Sequence, residues 1–183
     1  VEEFIERINV SCIRCGRFAL SSRASKLAPG LDLDEAIKIS GWIRENEGVT
    51  ISSDELTLLR KLPALTVGER AEKILVQLAK KIPKPGEIQD LSGDAYLEFM
   101  AVGRLTEISE LRFFIRDYLF SETGFLIRHE LVTELGDDSR YSISPKGWAY
   151  LESLRHGNPD SQIGFIAMWF DDSIKAAWLA IEN

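Results

Sequence analysis

The chain has 183 residues, 45% of them hydrophobic and 28% charged, a balance that excludes wholesale disorder and supplies apolar surface for one large or two small cores. Its net charge of −7 is spread over residues 1–66 (9 basic, 10 acidic), 67–158 (12 and 15) and 159–183 (1 and 4), so no segment is basic and charge disfavours nucleic acid as a partner. No apolar run approaches the ~18 residues of a membrane span, and Val1-Glu2-Glu3-Phe4 lacks the basic start of a secretory signal, which predicts a cytoplasmic protein with no membrane partner.

The first motif in the chain is Cys12-Ile13-Arg14-Cys15-Gly16, between the strand-like runs Asn9-Val10-Ser11 and Arg17-Phe18-Ala19-Leu20. This spacing predicts a hairpin whose turn is a Cys knuckle. Three readings are open. The first is a plain turn without metal. In the second, Cys12 and Cys15 supply half of a tetrahedral zinc site, with a symmetric partner donating the other two thiolates. The third is a redox pair, although a thioredoxin-like motif sits at a helix start and this one does not. A permanent disulfide does not suit a cytoplasmic protein.

Apolar residues at Ala36, Ile37, Ile39, Trp42 and Ile43 predict a helix from Asp34 to Asn46, stopped at Gly48. Ser52-Ser53-Asp54-Glu55 places a glutamate three residues after a serine, a capping-box pattern, ahead of Leu56, Leu58 and Leu59, and Pro63 ends the short helix. Thr66-Val67-Gly68-Glu69 repeats the device. The helix it opens runs to about Lys81, with Ala71, Ile74, Leu75, Leu78 and Ile82 on one face.

Pro83-Lys84-Pro85-Gly86 ends that helix, and Glu87 to Gly93 reads as a connecting loop. A strand is predicted over Ala95–Val102, broken by Gly103. A long helix follows from Thr106 to Phe120, on the apolar spacing of Ile108, Leu111, Phe114, Ile115, Tyr118 and Leu119. Beyond Gly124, a strand is predicted from Phe125 to Thr133, a turn at Gly136-Asp137-Asp138, a returning strand from Ser139 to Ile143, and a helix from Ser144-Pro145 to Arg155.

This order resembles a winged helix, and Tyr141-Ser142-Ile143-Ser144-Pro145-Lys146-Gly147-Trp148 is similar to the junction of wing and last helix in bacterial winged-helix domains. The resemblance departs from the family at Tyr96–Val102, where the helix before the recognition helix is replaced by a strand-like run. In a DNA-reading version the Thr106–Phe120 helix would enter the major groove with Arg104, Arg112 and Arg116. Glu107, Glu110 and Asp117 interleave with these arginines, and Asp137 and Asp138 occupy the wing tip. This pattern repels phosphate and favours a protein partner or a homodimer.

After the polar linker His156-Gly157-Asn158-Pro159-Asp160, the run Ile163–Phe170 is apolar on both faces and predicts a strand inside a parallel sheet, followed by a helix carrying Trp178. The expectation is that the chain stops within this α/β domain. Met168-Trp169-Phe170-Asp171 and the following helix resemble the opening of nucleoside 2-deoxyribosyltransferase-like domains, relatives of Toll/interleukin-1-receptor-like folds. The resemblance covers about one supersecondary unit. It implies nucleotide contacts at Phe170, Asp171, Asp172 and Ser173. It supplies no catalytic residue, because the family's carboxylate lies later in the fold. Asp171 also reads as a helix N-cap.

The expected fold is therefore α+β. Residues 1–66 form a Cys-knuckle hairpin with helices, 67–156 a winged-helix-like domain, and 157–183 a linker with the first strand-helix unit of a truncated α/β domain. The four tryptophans Trp42, Trp148, Trp169 and Trp178 read as core anchors, and His129 as a solvent-facing strand residue. No self-contained catalytic constellation stands out. The functional expectation is a regulatory or interaction module for a downstream nucleoside- or nucleotide-processing domain. Its rivals are an N-glycoside hydrolase or transferase as the full-length protein, and a winged-helix DNA-binding regulator.

Overall fold

The computed structural model describes residues 7–91, 93–117, 122–136 and 140–155. Mixed α and β elements surround two apolar clusters. The predicted hairpin is present: β1 (Arg7–Cys12) pairs antiparallel with β2 (Gly16–Ser21), in a register that sets Cys12 opposite Gly16. Gly16 turns the chain with φ +90°, a backbone conformation that favours glycine.

A short helix α1 (Ser22–Leu27), capped by the Ser21 side chain, leads to α2 (Leu33–Glu45), where Asp32 and Glu35 form a reciprocal capping box. β3 (Thr50–Ile51) then returns parallel to β2, giving a sheet in the order β1-β2-β3. The expected box at Ser52 and Glu55 opens α3 (Ser53–Leu59). Ala24, Ile39, Ile43, Ile51, Leu56 and Leu59 form the first core, with Trp42 half-buried against it. Leu58 is not part of that core. It is 67% exposed, because in a helix of seven residues only Leu56 and Leu59 reach the inward face.

The box at Thr66 and Glu69 opens α4 (Val67–Lys81), and Ile74, Leu75 and Leu78 sit at the centre of the second core. After β4 (Gln89–Asp90) comes a correction. Ala95–Val102 is helix α5, not a strand. Phe99, Met100, Ala101 and Val102 are all buried, so the second half of the helix carries no polar residue, and with Glu98 its one charged side chain the 3.6-residue period is hidden.

The helix expected over Thr106–Phe120 is also revised. α6 covers Ile108–Phe114 only, and the chain then forms β5 (Arg116–Asp117), paired antiparallel with β6 (Glu122–Thr123). The aromatic and β-branched run Phe113-Phe114-Ile115 suits either state, so apolar spacing alone overran the helix end. The strand expected over Phe125–Thr133 divides into a four-residue helix α7 (Phe125–Arg128) and the strand β7 (Val132–Glu134). Glu130, at φ +61°, makes the turn between them. β8 (Arg140–Ile143) and α8 (Pro145–Arg155) complete the described chain. The second sheet has the order β4-β8-β7, so the strand before α5 joins the late hairpin through Gln89↔Tyr141 and Asp90↔Arg140.

The two cores meet where α2 lies on α5. A Cβ at Gly41 would approach the Ala101 carbonyl oxygen to 2.5 Å and Arg104 Cγ to 2.8 Å. Ion pairs flank the contact: Arg44 with Glu98 at 2.6 Å, Lys81 with Glu98 at 2.7 Å and Lys73 with Glu45 at 2.8 Å. The expected strand Ile163–Phe170 lies outside the described residues. No helix among the described residues is long and apolar enough to cross a membrane.

Candidate functional site

The hairpin turn makes polar contacts to two distant parts of the sequence. The N–H of Cys15 donates to Cys12 Sγ at 3.2 Å, and Cys15 Sγ shares a hydrogen bond with Ser40 Oγ at 3.2 Å. Arg14 lies between the cysteines. Its Nε donates to Ser40 Oγ at 3.3 Å and its Nη2 to the Leu105 carbonyl at 2.6 Å. Ser40 on α2 and Leu105 between α5 and α6 are both buried, so the turn is docked onto both halves of the structure.

Both cysteines are free thiols and partly buried, but their surroundings differ. Burial opposes ionisation of Cys12, yet hydrogen bonds from Cys15 and Arg14 and the guanidinium charge outweigh it and bring the thiol below its usual range. Burial pushes the Cys15 thiol up, and the neighbouring Cys12 adds to this against the opposing Ser40 contact. Burial also lowers Arg14, opposed by the charges of Cys15, Cys12 and Glu110. The turn is thus an asymmetric thiol pair with a guanidinium beside it. Among the described residues, no group of three or more His, Cys, Asp or Glu side chains could hold a metal ion. Cys12 and Cys15 on one chain therefore offer zinc two of the four ligands a closed structural site needs.

A second feature is a cleft of about 300 Å³ between α4, α7 and α8. Ala71, Leu75 and Leu126 are buried in its wall, while Glu72, His129, Lys146 and Tyr150 bring polar groups to it. Tyr150 Oη donates to Glu72 Oε2 at 3.4 Å; burial, then the Glu72 charge, raise the phenol above its usual range. His129 is exposed at the end of α7, not on a strand, and its ring lies 4.3 Å from that of Phe125. Phe125 in turn stands 6.3 Å from Phe113, which is 54% exposed on α6. An aromatic strip thus runs from the cleft out to solvent.

No protein-family model, curated protein or solved structure matches this chain.

The three arginines expected on one helix do not share one. Arg104 lies in the turn between α5 and α6, at φ +50° and 9% exposed, and donates to the Pro63 carbonyl at 3.0 Å. Arg112 is on α6 and Arg116 in β5. Phe170, Asp171, Asp172 and Ser173, the wing-tip pair Asp137 and Asp138, and His156 lie outside the described residues. Ser40 escaped the sequence reading because it is 25 residues from Cys15 on a helix otherwise read for its apolar face. Arg14 was legible as an intervening residue of the motif, but its target 91 residues away was not.

Proposed function

We propose that this chain is a regulatory and interaction module that positions, dimerises or senses for a downstream nucleoside- or nucleotide-processing domain. The observation that carries the reading is the aromatic strip Phe113–Phe125–His129 beside the cleft. It is solvent-facing apolar area on a rigid helical frame, and such area commonly serves protein contacts. The element order from α4 to α8, with β4 added to the late hairpin, supports a winged-helix-like reading of residues 67–156. In that reading the helix directly before the wing is α7, so the counterpart of a recognition helix is four residues long, ending at Arg128 with His129 following it. The acidic balance of the chain favours a protein partner over a phosphate backbone.

Sedimentation of the chain over a wide concentration range tests the reading. A dimer that Phe113→Ser returns to monomer, with the melting temperature unchanged, is the expected result. A chain that stays monomeric at all concentrations, or a dimer that Phe113→Ser leaves intact, would overturn it.

A further inference from the structure

The two sulfurs of the hairpin turn are held for different tasks. Cys12 Sγ accepts the Cys15 N–H at 3.2 Å in the same turn as the Arg14 guanidinium, an arrangement that eases loss of the thiol proton. Cys15 Sγ faces the buried hydroxyl of Ser40. We propose that Cys12 and Cys15 form a reversible oxidation site, in which Cys12 reacts with a hydroperoxide and Cys15 resolves the product as a disulfide.

The chemistry balances with the peroxide as the only oxidant. The Cys12 thiolate attacks the distal peroxide oxygen, the O–O bond breaks, and the alkoxide or hydroxide released takes a proton to leave as alcohol or water. The Cys15 sulfur, giving up its proton, then attacks the Cys12 sulfenic acid. The new S–S bond forms as water departs, and two electrons have passed from the thiols to the peroxide. A dithiol reductant reverses the change by exchange. Transient disulfides of this kind are compatible with a reducing compartment, where permanent ones are not.

The consequence reaches beyond the turn. A bond to Cys12 withdraws Cys15 Sγ from Ser40 Oγ, and the same hydroxyl is one of the two anchors of Arg14. The other anchor is the Leu105 carbonyl in the second half of the structure. Oxidation therefore loosens the Arg14 clamp and is felt at the α5–α6 turn. This inference is independent of the aromatic strip and of any dimer.

The test exposes the whole chain to hydrogen peroxide and maps the peptides by mass. The Cys12–Cys15 peptide is expected to lose two hydrogens and regain them with dithiothreitol. Dimedone should label Cys12 in Cys15→Ser at least about tenfold faster than it labels Cys15 in Cys12→Ser, as expected for a thiol that ionises more easily than its neighbour. Hydrogen exchange at the amides of residues 103–107 should speed up on oxidation, and reduced Arg14→Ala should reproduce the effect. Equal labelling of the two cysteines overturns the assignment of roles. A native pair that stays reduced while a urea-unfolded control oxidises overturns the site. Unchanged exchange at 103–107 overturns the coupling. Should either serine variant fail to fold, the wild-type peptide mass and the Arg14→Ala exchange still decide.

Discussion

Arg14 and Leu105 are joined by a hydrogen bond of 2.6 Å across 91 positions of sequence, so the cysteine turn is tied to the second core and not only to its own hairpin. The bond is charge-assisted and partly buried. Arg14→Ala is expected to lower stability by about 1–3 kcal/mol, because it also leaves the Leu105 carbonyl without this donor. Urea denaturation measures the loss. Arg14→Lys should restore only part of it, since an ammonium cannot serve Ser40 and Leu105 from one planar group.

Gly41 is a second point of dependence between the halves. A methyl group there would press on the Ala101 carbonyl and Arg104, so Gly41→Ala is expected to cost about 1–3 kcal/mol by thermal unfolding, although alanine is the better helix former. Gly68→Ala, near the start of α4 with nothing within 4 Å, serves as the control and should be neutral or stabilising by about 0.5–1 kcal/mol.

Phe99 is fully buried within α5 and belongs to the second core. Phe99→Ala is expected to cost about 3–5 kcal/mol, whereas Phe113→Ala, on an exposed ring, should cost less than about 1 kcal/mol. Equal losses in chemical denaturation would contradict the placement of the two rings.

Glu98 gives the stability a dependence on pH. Burial opposes its ionisation, but the bonds from Arg44 and Lys81 outweigh it and hold the carboxyl below the ordinary glutamate range. A group depressed on folding stabilises fully above its unfolded value, and the contribution is lost as pH falls through the folded value. Glu98→Gln should therefore be less stable than the parent at neutral pH, and the difference should shrink towards zero in acid. Denaturation midpoints measured from neutral pH downwards check both the sign and the window.

Duplex DNA provides a further test. The acidic balance predicts no tight, steeply salt-dependent binding, and Arg112→Ala should leave any residual binding unchanged in a fluorescence-anisotropy titration. A large loss would restore the DNA-reading alternative.

The legible parts of the fold were those written in short-range chemistry. The Ser52/Glu55 and Thr66/Glu69 pairs marked helix starts because a capping box needs two residue types at one fixed spacing. The hairpin was marked by a motif ending in a glycine that must adopt positive φ. α5 was hidden because its buried second half, Phe99 to Val102, is apolar all round and Glu98 is its one charged residue, and α6 was overrun because the apolar spacing continued into β5. α7 was lost in an apolar run too short to show a period. At the candidate site the cysteines were evident, but Ser40 was not, since its role depends on how α2 is docked.

The enclosure of α5 has an outcome of its own. Its buried second half lies between α2 of the first half and its own core, and Gly41 allows no spacer between the two helices. An expression boundary drawn between residues 66 and 67 would strip one wall from that helix and bare the Ala101 backbone to water. The two halves should consequently melt together in one transition, and the hairpin half could not be exchanged for an unrelated one without rebuilding the surface it rests on.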